Sequence, residues 1–222
     1  MKIGIMQPYF FPYFPYFQLI NSVDIYVNLD HVNFKVRSYM TRNVISEDEK
    51  INIPVYKASQ NKKCFEIITA LDNQYVNKFF LLLKGKYSNT LNYHQILSIF
   101  QSQFNDNYEI SISQFNFNII KCISSYLGIK TLFIDSSIGL TDFKGEDGII
   151  DIVKKNNGRT YINAIGGREY YLKNNFESSN IDLKFLETQS DFQSYSNNSI
   201  LDILFHYSLD EIKSQLDKYI LL

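Results

Sequence analysis

Tryptophan is absent, and cysteine occurs only at Cys64 and Cys122. Two distant thiols with no metal-ligand spacing give neither a structural zinc site nor a disulfide framework, and both read as reduced core thiols. Histidine is nearly as scarce. His31, His94 and His206 fall in no HxxH-type pattern, so no metal is expected. An excess of one charge is also missing, since 22 Lys and Arg face 23 Asp and Glu for a formal net charge of −1. Without a basic surplus, long nucleic acid is not an expected partner, whereas one short acidic or nucleotide ligand stays compatible. No stretch reaches the roughly 20 apolar residues of a membrane helix. Lys2 is the only early charge, and prolines interrupt the apolar run from Ile3 to Phe17. No signal peptide is read there, and the chain is expected in the cytoplasm.

What the chain does hold is aromatic side chains: 17 Tyr and 18 Phe among 222 residues. Such rings fill cores, line concave sites, and leave room for a homodimer face. The length suits one domain spanning 1–222. Lys2 to Met6 reads as a buried strand, broken by a stiff loop carrying Pro8, Pro12 and Pro15. A short helix to Ser22 and a strand from Asp24 to Leu29 follow. Lys50 to Tyr56 and Lys63 to Thr69 alternate like the arms of a hairpin. A helical stretch over 73–127, with the character of an insertion, ends at Gly128. Strands at 131–135, 160–165 and 181–186 alternate with a helix over 146–157, and helices at 199–207 and 209–219 close the chain. This order predicts an α/β fold, with a Rossmann-like, mostly parallel sheet flanked by helices and a helical C-terminal part.

Four segments could carry chemistry. Gln7-Pro8-Tyr9 follows the first strand, where open α/β sheets bind ligands, although the same loop could simply cap the core. In the segment from Asp30 to Asn43, Asp30 and His31 could supply a general base. Lys35, Arg37 and Arg42 there could clamp a pyrophosphate, or else be a solvated basic loop. Gly166-Gly167-Arg168 after a strand, with Tyr171 beyond, lets backbone N–H groups approach an anion, and equally suits a plain tight turn. Asn198 to Phe205 reads mainly as a capped helix, with Asp202 structural. No P-loop, dinucleotide fingerprint, Ser-His-Asp order or HExxH is present.

These segments also carry a resemblance. Ile5 to Ile20, Asp30 to Asn33, Arg42-Asn43, Tyr161 to Gly166 with Tyr171-Leu172, and Asn198 to Phe205 resemble, in order, the sequence blocks of the WbqC-like family of bacterial surface-polysaccharide gene clusters. Pro15, Tyr39, Asn163 and Ala164 depart from the family's usual residues. The resemblance implies an enzyme of O-antigen or capsule assembly. Such an enzyme would join glycine, or a similar acyl group, to the amino group of a nucleotide-linked (dTDP-type) amino-dideoxy sugar. On that reading Asp30 or His31 is the base, Lys35, Arg37 and Arg42 hold phosphates, and Gln7 and Asn33 orient the sugar or the glycyl group. Activation by ATP with Mg and delivery of an already charged donor both stay open. A non-catalytic sugar-nucleotide binding protein and a nucleotidyltransferase-like enzyme are the competing readings.

Overall fold

The computed structural model describes residues 1–46, 48–105, 109–135, 145–192 and 197–222. The first part of the chain runs β1 (Lys2–Met6), α1 (Phe14–Asn21), β2 (Ile25–Asn28), β3 (Arg42–Ile45) and β4 (Glu49–Asn52). Three helices follow: α2 (Asn73–Tyr87), α3 (Tyr93–Asn105) and α4 (Ile112–Tyr126). Then come β5 (Leu132–Asp135), α5 (Gly145–Lys155), β6 (Thr160–Ala164), a 3₁₀ turn (Ile165–Tyr170) and α6 (Lys173–Glu177). The chain closes with β7 (Asp182–Thr188), α7 (Leu201–His206), α8 (Leu209–Gln215) and β8 (Tyr219–Leu221).

The main sheet has the order β5-β2-β1-β6-β7-β8. Every pairing is parallel except β7 with β8. Counting only the strands of this sheet in chain order, the spatial order is 3-2-1-4-5-6, the doubly wound arrangement whose connections reverse direction between the first and fourth strands. Here that switch point lies between β1 and β6, which pair Ile3 with Tyr161 and Gly4 with Ile162.

Alternation along the strands sends side chains to two cores. Ile3, Ile5, Ile25, Val27, Tyr161 and Leu183 meet Ile149, Ile152 and Val153 of α5 on one face. On the other face Tyr26 and Ile162 join α1, α2, α3, α4 and α7 in a larger aromatic core. The helices α2 to α4 thus share their core with α1. Helix α1 lies close on β1 because Gly4 has no side chain, and a Cβ there would stand 2.8 Å from Leu19 Cδ2. Asp202 is fully buried. Its carboxylate accepts from the Tyr87 hydroxyl at 2.7 Å and from the Ser46 amide at 2.8 Å, the structural role read from the sequence.

Two details depart from expectation. Glu49–Asn52 pairs antiparallel with Arg42–Ile45, and the expected pairing with 63–69 is kept only farther along, where Val55 bridges Thr69 and Tyr56 N donates to Ile68 O at 2.8 Å. Asp48 supplies the left-handed residue (φ +57°) that a short hairpin loop needs, so the nearer partner wins. The closing helix stops at Gln215, and Tyr219–Leu221 adds an antiparallel edge strand. Among the described residues no helix is long and apolar enough to cross a membrane.

Candidate functional site

Seven residues, 7–13, separate β1 from α1 at the switch point. Pro8 and Pro12 stiffen this loop, and Pro15 sits in the first turn of α1, where no amide is needed. Side chains take up the loop's backbone carbonyls. The Tyr16 hydroxyl donates to Gln7 O at 2.8 Å and contacts the Tyr26 hydroxyl. Asn116 on α4 is fully buried, and its Nδ2 donates to Pro8 O at 2.9 Å and to Met40 O at 2.8 Å. Asn43 Nδ2 donates to Phe10 O at 3.1 Å and Phe11 O at 2.8 Å. Two amides therefore tie the 7–13 loop to the 35–43 segment, and Phe10 N to Tyr39 O at 2.8 Å completes the seam.

Two joined cavities open above this seam. The first, about 400 Å³, lies at the carboxyl ends of β1 and β6. Its lining includes Met6, Gln7, Tyr9, Tyr13, Leu29, Asn163, Gly166, Gly167 and Tyr171. The second, about 660 Å³, runs under the β3–β4 hairpin and is lined by Arg37, Ser38, Arg42, Asn43, Val44 and Lys50. Gln7, Tyr9, Lys35, Tyr39 and Tyr170 belong to both and form the wall between them. The hairpin register explains the grouping: Val44 lies opposite Lys50, and Arg42 shares the face of Val44.

The electrostatics are one-sided. Lys35, Arg37, Arg42 and Lys50 line the second cavity, while among the described residues no carboxylate or imidazole lines either cavity. The salt bridges found among the described residues, Lys155–Asp151 and Lys218–Asp191, lie elsewhere. Arg37 is held at φ +60°, a conformation that costs a non-glycine residue energy and is often kept where function needs it. Burial pushes the Tyr9 and Tyr171 hydroxyls up from the usual tyrosine value, so both stay protonated hydrogen-bond donors. In dinucleotide-binding folds a helix N-terminus meets the phosphates directly after the first strand. Here the proline-rich loop displaces that helix, and hairpin cations occupy the equivalent edge of the switch point.

Of the residues picked from the sequence, Gln7, Tyr9, Lys35, Arg37, Arg42, Asn43, Gly166, Gly167 and Tyr171 line this cleft. Pro8 is buried beneath it and acts through its carbonyl. Asn33 is exposed and bridges Lys63 through its backbone, and Arg168 is exposed outside both cavities. Asp30 and His31 line neither cavity. Asp30 is 3% exposed and close enough to Cys64 to help push its thiol up to about 12, after burial itself. The His31 ring stacks on Phe65 at 5.6 Å. The cause is local. Backbone bonds from Phe34 N to Lys62 O and Cys64 N to Val32 O dock residues 30–34 onto 62–65, while Leu29 and Lys35 at either end face the cleft. Sequence reasoning missed Tyr13, Tyr39, Asn163, Tyr170 and Lys50 as lining residues. Lys50 was recoverable from correct hairpin pairing, and the tyrosines from their clustering in two loops. Among the described residues no group of His, Cys, Asp or Glu could hold a metal ion.

The family model of WbqC-like proteins matches residues 7–214. The chain is also similar to "Uncharacterized protein Rv1507c" of Mycobacterium tuberculosis, with 25% identity over 222 residues, covering 92% of this chain and 93% of that protein. No solved structure matches.

Proposed function

The chain belongs to the WbqC-like protein family, and from that premise we propose that the switch-point cleft is the active site of a transferase or ligase of surface-polysaccharide assembly. It binds a nucleotide-linked amino-dideoxy sugar by its diphosphate and forms an amide at the sugar's amino group with glycine or a similar acyl donor. One observation supports this above the others: four cations line the second cavity, and among the described residues of its lining there is no carboxylate. Such a wall favours an anion, and arginine matches phosphate oxygens in bidentate fashion. The same charges serve the chemistry. A sugar amine must be neutral to attack an acyl group, and positive charge nearby disfavours its ammonium form. As the amine adds, the acyl oxygen gains negative charge, which the cations and the tyrosine hydroxyls stabilise. The new C–N bond replaces the bond to the donor's leaving group, and the proton released from nitrogen leaves with that group or to water.

Incubation with a dTDP-linked 4-amino-4,6-dideoxy sugar, glycine and ATP is the direct test. The expected product is the sugar nucleotide heavier by one glycyl unit. Pyrophosphate release without sugar modification would favour the nucleotidyltransferase reading. A second reading, a non-catalytic sugar-nucleotide carrier, draws on Asp30 and His31 lying outside both cavities, and binding without turnover under every donor condition would establish it.

Asp30→Asn distinguishes a base from a packed carboxylate. With Asp30 buried beside Cys64, the expected outcome is a lower melting temperature with the specific activity of the folded fraction kept. Loss of turnover at unchanged substrate affinity would instead return the proton-transfer role to Asp30.

A further inference from the structure

The two compartments differ in a way the anion argument does not use. Among the described residues, Lys35 on the shared wall is the only charged side chain lining the compartment at the end of β6. Its surfaces are the rings of Tyr9 and Tyr13 and the aliphatic side chain of Leu29, set against the amides of Gln7 and Asn163. That combination of apolar faces and a few polar edges suits a sugar ring, and one with few hydroxyls. A ring hydroxyl set against Ile5, Met6 or Leu29 would lose its water without gaining a partner, so the phenols and amides of the lining have only a few hydroxyls to serve.

Asn163 is the polar centre of this compartment. It is buried, and its Oδ1 accepts from the Ala164 amide at 2.8 Å, which fixes which way the side-chain amide points. Its Nδ2 stands beside Gly167, where a Cβ would come within 2.6 Å of it. Gly167 therefore leaves the room that the amide occupies, and no other residue fits there without moving Asn163. Tyr171 lines the same compartment as Asn163, and its hydroxyl accepts from that of Tyr161 at 3.4 Å.

We infer that this neutral compartment is the subsite for the sugar ring of a hydroxyl-poor nucleotide sugar, with Asn163, seated by Gly167, as the residue that sets its specificity. The inference rests on the diphosphate reading of the neighbouring compartment, and the following experiment separates the two. Titration calorimetry compares dTDP, dTDP-glucose and dTDP-4-amino-4,6-dideoxyglucose on the wild-type protein, on Gly167→Ala and on Asn163→Asp. The aspartate keeps the acceptor for Ala164 N and loses the amide donor. Wild-type protein is expected to bind the amino-dideoxy sugar nucleotide at least about tenfold more tightly than dTDP, with dTDP-glucose between them. Both variants are expected to lose that increment and to keep their affinity for dTDP. Equal affinity of the wild type for dTDP and its sugar conjugates overturns the ring subsite and leaves the anion reading standing. Tighter binding of dTDP-glucose than of the dideoxy sugar overturns the assignment of a hydroxyl-poor ring. Failure to bind dTDP at all overturns both readings together. The wild-type comparison decides the question even if one variant misfolds.

Discussion

Replacing Arg42 with alanine is expected to weaken dTDP binding about tenfold, and the double replacement Arg37→Ala/Arg42→Ala about a hundredfold, as read by calorimetry. Arg42 begins the hairpin strand over the second cavity and shares that cavity with Arg37, Lys35 and Lys50. A charge-assisted hydrogen bond to phosphate contributes about 1.5–3 kcal/mol, and solvent exposure of both arginines puts each single effect near the lower end. Arg42→Lys should recover only part of the loss, because the ammonium keeps the charge without the planar fork. Raising the salt from roughly 0.05 to 0.5 M should weaken wild-type binding, and should do so less in the double variant, since fewer charges remain to be screened. Unchanged affinity in the double variant would remove the phosphate site from the hairpin.

Asn116→Ala should have the largest structural effect of any single change near the cleft. The residue is fully buried and its amide serves both Pro8 O and Met40 O. Alanine leaves two buried carbonyls without donors, at a cost of about 2–5 kcal/mol. For a domain of this size that is a fall in melting temperature of roughly 5–15 °C. The same amide joins the loop carrying Gln7 and Tyr9 to the segment carrying Lys35, Arg37 and Tyr39. Ligand affinity measured well below the new midpoint should therefore fall as well. A stability loss with full ligand affinity would show that the seam supports the fold without aligning the cleft.

The parts of the site that could be read from sequence are those fixed by local chemistry. An apolar pentapeptide ending at Met6 and followed by Gln7-Pro8 placed a strand end and a stiff loop. Thr160 to Ile165 running into two glycines placed another. The sheet then brings these two strand ends side by side, which sequence order alone could only imply through the α/β pattern. What local reasoning could not supply was the direction of side chains in the irregular stretch from Asp30 to Lys35. Its facing is set by partners thirty residues away, at Lys62 and Cys64, and adjacent positions end up on opposite sides. Lys50 was hidden by the same kind of choice. Its segment pairs with the nearer 42–45 across the left-handed Asp48 and meets 63–69 only from Val55 onward.

The rings of Tyr39 and Tyr9 lie 5.4 Å apart, Tyr9 and Tyr16 5.7 Å, and Tyr16 and Tyr26 6.0 Å, a file running from the cleft mouth into the core. The chain has no indole to dominate its ultraviolet emission. Light absorbed along this file can migrate between phenols, and a nucleobase settling against the outermost ring would act as a sink for it. Occupancy of the cleft should thus be visible as dimming of the protein's own phenolic fluorescence, without dye or label.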